Sequence, residues 1–435
     1  MGLVPASSLH PGASATQRLS ATHPARTVPQ TGCPLVSAEL QLAIGFAASG
    51  NALGYLGGGW ARAEPDFTWA IGSESHLILP RPRDDADYLL TLDVVPFVHE
   101  PKLRTQRLIV SVNGTVIGSS VLYRPSLLGY RFPAELLGRA DKVLVTLRHP
   151  DAERPLDLGG SPDDRQLAFS LSEAKLYRLS GTPDRRSTGL PIGLRLSGEP
   201  VRSGDQHAPD LARWVEERTG LTLPQLALQF ESLGENCEFG LVQRRCDIEP
   251  LGLLRFSSTF LRNLIRGLEN GFDGLGDPEE IEPRLEGKGP KKEYMIHEGR
   301  FGLVYHTFVY EGQRTVSLIR EQESARLKFL RRKFLEDLET GGKLFVYKRN
   351  STVSEEEVLP LLLALHRHGS NRLLWVVPAD EAHPSGTVEL AQPGLFKGYI
   401  ERFAPDENAH DFAFEGWMRV CANTYLLSRL QRVAE

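Results

Sequence analysis

The chain has 435 residues, of which 41% are hydrophobic and 24% are charged, a composition typical of a soluble globular protein with two or three domains. The formal net charge of −5 gives no electrostatic reason to expect nucleic acid or an anionic membrane as a partner. No apolar run reaches the roughly 18 to 20 residues that a membrane span requires, so we expect no membrane span.

Four cysteines are spread thinly along the chain: Cys33, Cys237, Cys246 and Cys421. They are too sparse for a disulfide framework, and no two of them form the CxxC pair of a structural zinc site. We therefore expect a reducing, cytoplasmic location, no bound metal and no other cofactor.

The N-terminal part of the chain predicts a tail followed by a β-rich domain. Residues 1–37 lack the apolar segment of a secretory signal and are predicted to be a disordered, Ser/Ala/Pro-rich tail. Residues 38–180 carry short runs rich in Val, Leu and Ile with turn signals between them. One of these turns, Asn113-Gly114, predicts a type I′ hairpin, which needs positive φ at both central residues. The pattern as a whole predicts an antiparallel β-sandwich.

The C-terminal part shows a different pattern. Residues 181–208 are rich in Gly, Pro, Ser and Arg and are predicted to be a linker. From 209 to 435, helical patterns alternate with apolar runs, which predicts a three-layer α/β domain with a mainly parallel sheet. The clearest helical pattern is 324–340, which Gly341 and Gly342 end. The predicted strands of this part include 226–230, 294–296, 302–308, 343–348 and 373–377.

The segment FESLGENCEFG, residues 230–240, presents Cys237 just after a predicted strand, where a helix would begin. Backbone N–H groups and the helix dipole at such a position favour the thiolate and lower the pKa of the thiol. A nucleophilic cysteine also needs a base, and His306 in the strand GLVYHTF is our candidate. Asn236 or nearby backbone N–H groups would stabilise the oxyanion. The sequence thus predicts a cysteine-dependent hydrolase or acyl-transfer enzyme.

A second interpretation uses a serine in place of the cysteine. The sequence ESLG (231–234) is similar to the first block of SGNH-type hydrolases, and ADEAHP (379–384) resembles their D-x-x-H-P block. This resemblance implies an esterase in which Ser232 is the nucleophile and His383 is the base. In it, Asp380 orients His383, and Asn350 completes the oxyanion hole.

A third interpretation involves no catalysis. Open α/β sheets bind ligands at the carboxyl ends of their strands whether or not a reaction follows. Polar residues predicted there could bind a sugar or a nucleotide-sugar, and the protein would then be a carbohydrate-binding accessory protein. The residues assigned to this pocket are Asn236, Arg255, His306, Lys348, Arg349, His410 and Asp411.

The C-terminal half resembles a bacterial family of unknown function that is classed with the papain-like cysteine peptidases. The shared elements are SLGENC (232–237), LGLLRFSS (251–258), YHTF (305–308) and FLRRKFLEDLETGGKLFVYKR (329–349). The resemblance covers about residues 226 to 430 and implies a cysteine peptidase activity. In that family a PFDW element usually stands where this chain has LLRFSS, and a His-Asp pair where it has His306-Thr307.

The N-terminal half resembles β-sandwich modules that are appended to bacterial polysaccharide-biosynthesis proteins. It shares the Gly59-Trp60 pair, QRLIVSVNG (106–114) and the closing PLDLGGSPDDRQLAFSL (155–171). This resemblance implies a galactose-binding-like jelly roll in contact with a glycan or glycoconjugate. It places the protein in a bacterial glycan or cell-envelope context.

Overall fold

The computed structural model describes residues 37–84, 86–159, 161–180, 192–197, 208–287 and 291–434. All of them belong to one compact unit, residues 33–435. Most of the predicted tail and linker lies outside the described residues, and so does Cys33.

The N-terminal part forms two antiparallel sheets from nine strands. The strands are β1 Ser37–Gly45, β2 Thr68–Ile71, β3 Glu74–Pro80, β4 Asp87–Pro96, β5 Gln106–Val112, β6 Thr115–Leu122, β7 Ser126–Phe132, β8 Lys142–Arg148 and β9 Leu167–Ser180. One sheet has the order β1-β9-β4-β7, with β2 also paired to β9, and the other has the order β3-β8-β5-β6. A single helical turn, α1 (Pro155–Leu158), precedes β9. The predicted antiparallel sandwich is confirmed.

Local sequence explains how this sandwich forms. Asn113 and Gly114 have φ values of 47° and 86° and join β5 to β6, as the hairpin prediction required. Strand β8 buries alternate residues, Val143, Val145 and Leu147, and leaves those between them more exposed. The period of two places one face of the strand in the shared core of the two sheets.

The C-terminal part is an α/β region. Its helices are α2 Ala208–Thr219, α3 Leu223–Ala227, α4 Glu238–Arg245, α5 Leu261–Glu269, α6 Val316–Thr340, α7 Glu355–His366 and α8 Phe414–Ala434. Its strands are β10 Arg195–Leu196, β11 Phe230–Ser232, β12 Ser257–Ser258, β13 Ile281–Glu286, β14 Glu293–Glu298, β15 Val304–Tyr310, β16 Leu344–Lys348, β17 Arg372–Pro378, β18 Val388–Gln392 and β19 Leu395–Ile400.

The main sheet of this region has the order β10-β18-β19-β17-β16-β11. Strands β11, β16, β17 and β19 are parallel to one another, whereas β18 is antiparallel to β19 and β10 is antiparallel to β18. Strand β10 lies inside the predicted linker, so part of that segment extends the edge of the sheet.

Two of the predicted strands do not join the main sheet. They are β14 and β15, which form a separate antiparallel sheet of order β12-β15-β14-β13. The connection between β14 and β15 is only residues 299–303, which is too short for the crossover that parallel neighbours need. The alternation of helices and strands along the chain therefore predicted more strands for the parallel sheet than it contains.

The predicted strand 226–230 is also wrong for most of its length. Residues 223–227 form helix α3, and the strand begins only at Phe230. A capping box starts the helix: Thr222 Oγ1 accepts the Gln225 N–H, and Gln225 Oε1 accepts the Thr222 N–H at 3.0 Å. These two bonds satisfy N–H groups that a strand would direct to a neighbour.

Helices pack on both faces of the main sheet. Helices α4 and α8 bury Phe239, Val242 and Trp417 on one face, and α5, α6 and α7 bury apolar residues such as Leu264 and Phe334 on the other. Helix α7 also contacts the sandwich.

Leu359 and Leu363 of α7 pack against Leu89 and Leu179 on the outer face of the sandwich. The sandwich and the α/β region therefore share an apolar interface.

Candidate functional site

The main sheet has a crevice at the carboxyl ends of β11 and β16. The chain leaves β11 for helix α4 on one face of the sheet, and it leaves the neighbouring β16 for α7 on the opposite face. Where two adjacent connections diverge in this way, an open α/β sheet commonly binds its ligand. Residues 233–237 follow β11 at this crevice, and residues 349–353 follow β16.

Cys237 lies in the crevice, immediately before α4. Its carbonyl oxygen accepts the Leu241 N–H at 3.0 Å, so the residue begins the helix, as predicted. The thiol is partly buried, and its Sγ donates to the carbonyl oxygen of Phe256 at 3.8 Å. Burial raises the pKa of the thiol above its ordinary value, although Lys348 and Arg244 oppose that shift. The thiol is therefore protonated at neutral pH in this arrangement.

His306 lies on β15 with its ring half-exposed. Its Nδ1 is 3.1 Å from Glu293 Oε2, and the ring stacks on Phe308. Within the described residues, no hydrogen bond joins His306 to Cys237. Ser257 pairs with Tyr305 across β12 and β15, so His306 lies on the strand next to the Phe256 segment. The Cys237–His306 pair stays a prediction.

Asn236 lies one residue before the N-cap of helix α4. Its Oδ1 accepts the Glu238 N–H at 3.1 Å. Its Nδ2 makes no hydrogen bond with any residue in the described ranges. The amide is partly exposed, so these N–H donors are free for a ligand in the crevice.

The residues of the serine interpretation lie at or after the ends of different strands. Asp380 and His383 do pair, with Oδ1 and Nδ1 2.8 Å apart, and the His383 ring stacks on Tyr399. Ser232 is buried on β11, two strands from β17, and its Oγ accepts the Gly234 N–H at 3.2 Å. Two strand spacings are about 10 Å, so the structure holds Ser232 apart from the pair.

Lys348 belongs to a buried ion pair behind the crevice. Its Nζ lies 2.5 Å from Glu238 Oε2, and both side chains are almost fully buried. Trp417 Nε1 and the Ala404 N–H also donate to the Glu238 carboxylate. Burial lowers the pKa of Lys348, which Glu238 partly offsets. These contacts anchor α4 and α8 to the sheet, and they leave Lys348 little capacity for a ligand.

Arg349 and Asn350, the two residues that follow β16, also bind other residues of the protein. Arg349 pairs with Glu357 through Nη1 at 3.0 Å and donates Nη2 to the carbonyl oxygen of Thr352. Asn350 accepts from Lys348 and donates Nδ2 to Asp406 and to the carbonyl oxygen of Ala404. Both residues lie at the crevice, but hydrogen bonds to other residues of the protein already hold part of each side chain.

Arg255 is buried and bonded at each nitrogen of its guanidinium. Nε donates to Gln243, Nη1 to Glu249, and Nη2 to the carbonyl oxygens of Gly240 and Ile248. These bonds tie the end of α4 to the loop that follows it. A ligand would have to displace them.

His410 and Asp411 lie exposed in the loop between β19 and α8. Asp411 pairs with Arg402 at 2.6 Å, and the His410 N–H donates to Asn408. Asp406 of the same loop binds Asn350, so the loop borders the crevice.

The sandwich contributes residues that the sequence analysis missed. The turn between β6 and β7 places Arg124 Nη2 3.2 Å from Glu235 Oε1. Tyr123 of the same turn donates its hydroxyl to Ser351 Oγ at 3.0 Å. Arg124 and Glu235 are 111 positions apart, and no local pattern could have joined them.

A cavity of about 220 Å³ opens beside the crevice at the ends of β16, β17 and β19. Trp375, Lys397 and Tyr399 line it together with Arg349, Asn350 and Asp380. Trp375 lies opposite Lys397 in the register of β17 and β19. The signal available in the sequence was Trp375 on β17, together with Lys397 and Tyr399 at alternate positions of β19.

Two other kinds of feature are absent from the described residues. No helix among them is long and apolar enough to cross a membrane. Within the same ranges, no group of three or more His, Cys, Asp or Glu side chains could hold a metal ion.

Comparison with known proteins does not identify a family. No protein-family model matches the chain, and no curated protein matches it. One solved structure that is similar to part of this chain is the C-terminal CBM6 of LamC, a laminarinase from Zobellia galactanivorans. The two sequences are 12% identical over 32% of this chain and 98% of that one, and the TM-score is 0.21.

Two other similar structures are also carbohydrate-binding modules. The CBM36 in complex with calcium and xylotriose has 6% identity over 33% of this chain and 95% of that one, with a TM-score of 0.18. The family 35 module from Clostridium thermocellum has 10% identity over the same shares, with a TM-score of 0.17. At these scores the likeness carries no conclusion, and the description of the fold rests on the strand order.

Proposed function

We propose that this protein binds a carbohydrate at the crevice without turning it over, as an accessory protein of polysaccharide or cell-envelope biosynthesis. The observation that supports it most is Tyr123, which is 37% exposed and has the guanidinium groups of Arg124 and Arg349 over its ring, at 5.4 and 5.9 Å from the centroid. A sugar offers an apolar C–H face and a rim of hydroxyl groups. The exposed part of the Tyr123 ring offers an apolar contact, and unbonded donors nearby can meet the hydroxyl groups.

The surrounding polar groups support the same function. Asn236 Nδ2 is a free donor at the start of α4, and Glu235 supplies a carboxylate that Arg124 holds in place. A sugar hydroxyl both donates and accepts, so it can bridge such groups. A protonated Cys237 would be a passive neighbour of the ligand.

Binding to a panel of oligosaccharides, measured by isothermal titration calorimetry with the full chain, tests this proposal. Tyr123→Ala should abolish binding, whereas Tyr123→Phe should keep most of it because the ring remains. Tyr310, which is 36% exposed on β15, gives the matched control Tyr310→Ala. Cys237→Ser should bind as the wild type does. The proposal fails if no saccharide binds, or if Tyr123→Ala binds as well as Tyr310→Ala.

A cysteine-dependent hydrolase is the second candidate. The position of Cys237 supports it, since a thiol before a helix at the divergence of two connections is where an α/β fold can hold a nucleophile. Under this candidate the region is a three-layer α/β domain, Asn236 Nδ2 serves the oxyanion, and His306 must move from Glu293 to reach the thiol. Titration of the thiol decides between the two candidates.

A further inference from the structure

The cavity at the ends of β16, β17 and β19 has room for more than solvent. Its volume of about 220 Å³ is well above the roughly 10 to 15 Å³ that a single water needs. The cavity is next to the Tyr123 ring that we propose to contact the sugar, because Ser351 lines the cavity and also binds the Tyr123 hydroxyl.

Lys397 brings a cation to this cavity. Its ammonium lies 4.7 Å from the centroid of the Trp375 ring and 5.3 Å from that of Tyr399. It makes no hydrogen bond or ion pair with any residue that the structure describes. Glu389, its register partner on β18, accepts instead from the Tyr399 hydroxyl at 2.6 Å. A half-buried cation without a carboxylate is short of an anionic partner.

Two further donors, on residues that line the same cavity, are buried and unpartnered within the described residues. They are Trp375 Nε1 and Arg349 Nε, on side chains of residues that are 3% and 4% exposed. A buried N–H without an acceptor is destabilising, and native structures seldom leave one unmet. The groups of these residues that lack a hydrogen-bond partner are thus donors. A ligand group that only accepts hydrogen bonds would satisfy them.

The carboxylates of Asp380 and Glu357 near the cavity already accept hydrogen bonds from other residues. Asp380 at its rim accepts from His383 Nδ1 and from the N–H groups of Ala382 and His383. Glu357 is paired with the Nη1 and Nη2 side of Arg349. Neither makes an ion pair with Lys397.

We propose that this cavity binds the oxyanion of an acidic saccharide, with Lys397 as its ion-pair partner and Trp375 Nε1 and Arg349 Nε as hydrogen-bond donors. The saccharide part rests on the function proposed above, with the neutral ring directed to Tyr123. A carboxylate and a phosphate share the required chemistry, because both present only acceptor oxygens to such donors.

Calorimetric titration of the full chain at low salt tests the proposal. The probes are a glucuronate-containing oligosaccharide, a sugar phosphate, a neutral oligosaccharide of matched length, and two sugar-free anions, acetate and inorganic phosphate. We expect the acidic saccharides to bind at least tenfold more tightly than the neutral one. Lys397→Met should remove that preference, and Trp375→Phe should weaken acidic binding about threefold to tenfold. Lys142→Met, at an exposed lysine of β8, is the matched control and should change nothing.

The outcomes separate the two proposals. Equal affinity for acidic and neutral saccharides in the wild type overturns the oxyanion site while leaving carbohydrate binding intact. Acetate or inorganic phosphate binding as tightly as the acidic saccharides overturns the saccharide part and leaves a simple anion site. If Lys397→Met does not fold, Trp375→Phe and the loss of acidic binding with added salt carry the test, and failure of both overturns the site.

Discussion

Arg262 of α5 and Asp93 of β4 form a two-point ion pair between the α/β region and the sandwich. Nε lies 2.5 Å from Oδ1, and Nη2 lies 2.6 Å from Oδ2. Ser172 Oγ donates to the same carboxylate at 2.9 Å, and both charged side chains are mostly buried. The pair fixes the two parts together beside their apolar interface.

Arg262→Gln should lower the free energy of unfolding by about 2 to 3 kcal/mol, because Asp93 would stay buried with only Ser172 as a partner. Urea unfolding measures the change. Arg266, one turn further along α5, is exposed and makes no ion pair with any described residue, so Arg266→Gln should change stability by less than about 0.5 kcal/mol. Asp93→Asn combined with Arg262→Gln should cost less than the sum of the two single changes. Strict additivity would contradict a direct interaction.

Cys237 should behave as an ordinary buried thiol. Its raised pKa means that little thiolate is present at pH 7, so alkylation by iodoacetamide should be slow there and should rise only above about pH 9. His306→Ala should leave this profile unchanged. Peptide mapping separates Cys237 from Cys246 and Cys421. A thiol pKa well below 8.5 that His306→Ala raises would favour the cysteine hydrolase instead.

Features that depend on neighbouring residues could be predicted from the sequence. The Asn113-Gly114 turn, the position of Cys237 at a helix start and the buried strand β17 all follow from local propensity and periodicity. The wrong strand assignment at 226–229 has a local cause too, since the capping box of Thr222 and Gln225 begins helix α3 there.

The site required information that no segment carries alone. Arg124 meets Glu235 only where the sandwich docks on the α/β region, against which α7 also packs. In the same way, Lys348 is a fixed structural cation because Glu238 of α4 is folded against it. The residue types suggested a polar pocket, but tertiary contacts decided which of their atoms are already used.

Lys348 and Glu238 should show the energetics of a buried ion pair. Lys348→Met leaves a carboxylate that is 0% exposed without its cation, so we expect a loss of about 3 to 5 kcal/mol in urea unfolding. The double variant Lys348→Met/Glu238→Gln should recover at least half of that loss, since the uncompensated charge is gone. A double variant as unstable as the single one would mean that packing, rather than charge, controls the site.

Glu231 should make stability depend on pH. It is buried on β11, and burial raises the pKa of its carboxyl from 4.5 to about 8, helped by the nearby Asp337 and opposed by Lys333. The folded state therefore binds this proton more tightly than the unfolded state does. The contribution of Glu231 is most favourable below about pH 4.5, and it is lost as the pH rises towards 8.

Glu231→Gln removes this titration, so the unfolding free energy of the variant should fall less steeply between pH 5 and pH 8 than that of the wild type. Above pH 8 the variant should be more stable by roughly 2 to 4 kcal/mol, because one pKa unit corresponds to about 1.4 kcal/mol. Urea unfolding at pH 5, 7 and 9 measures both effects, with Glu336→Gln on the exposed side of α6 as the control. Parallel pH profiles for the wild type and Glu231→Gln would mean that the buried carboxyl is already ionised in the folded protein, with Lys333 supplying its countercharge.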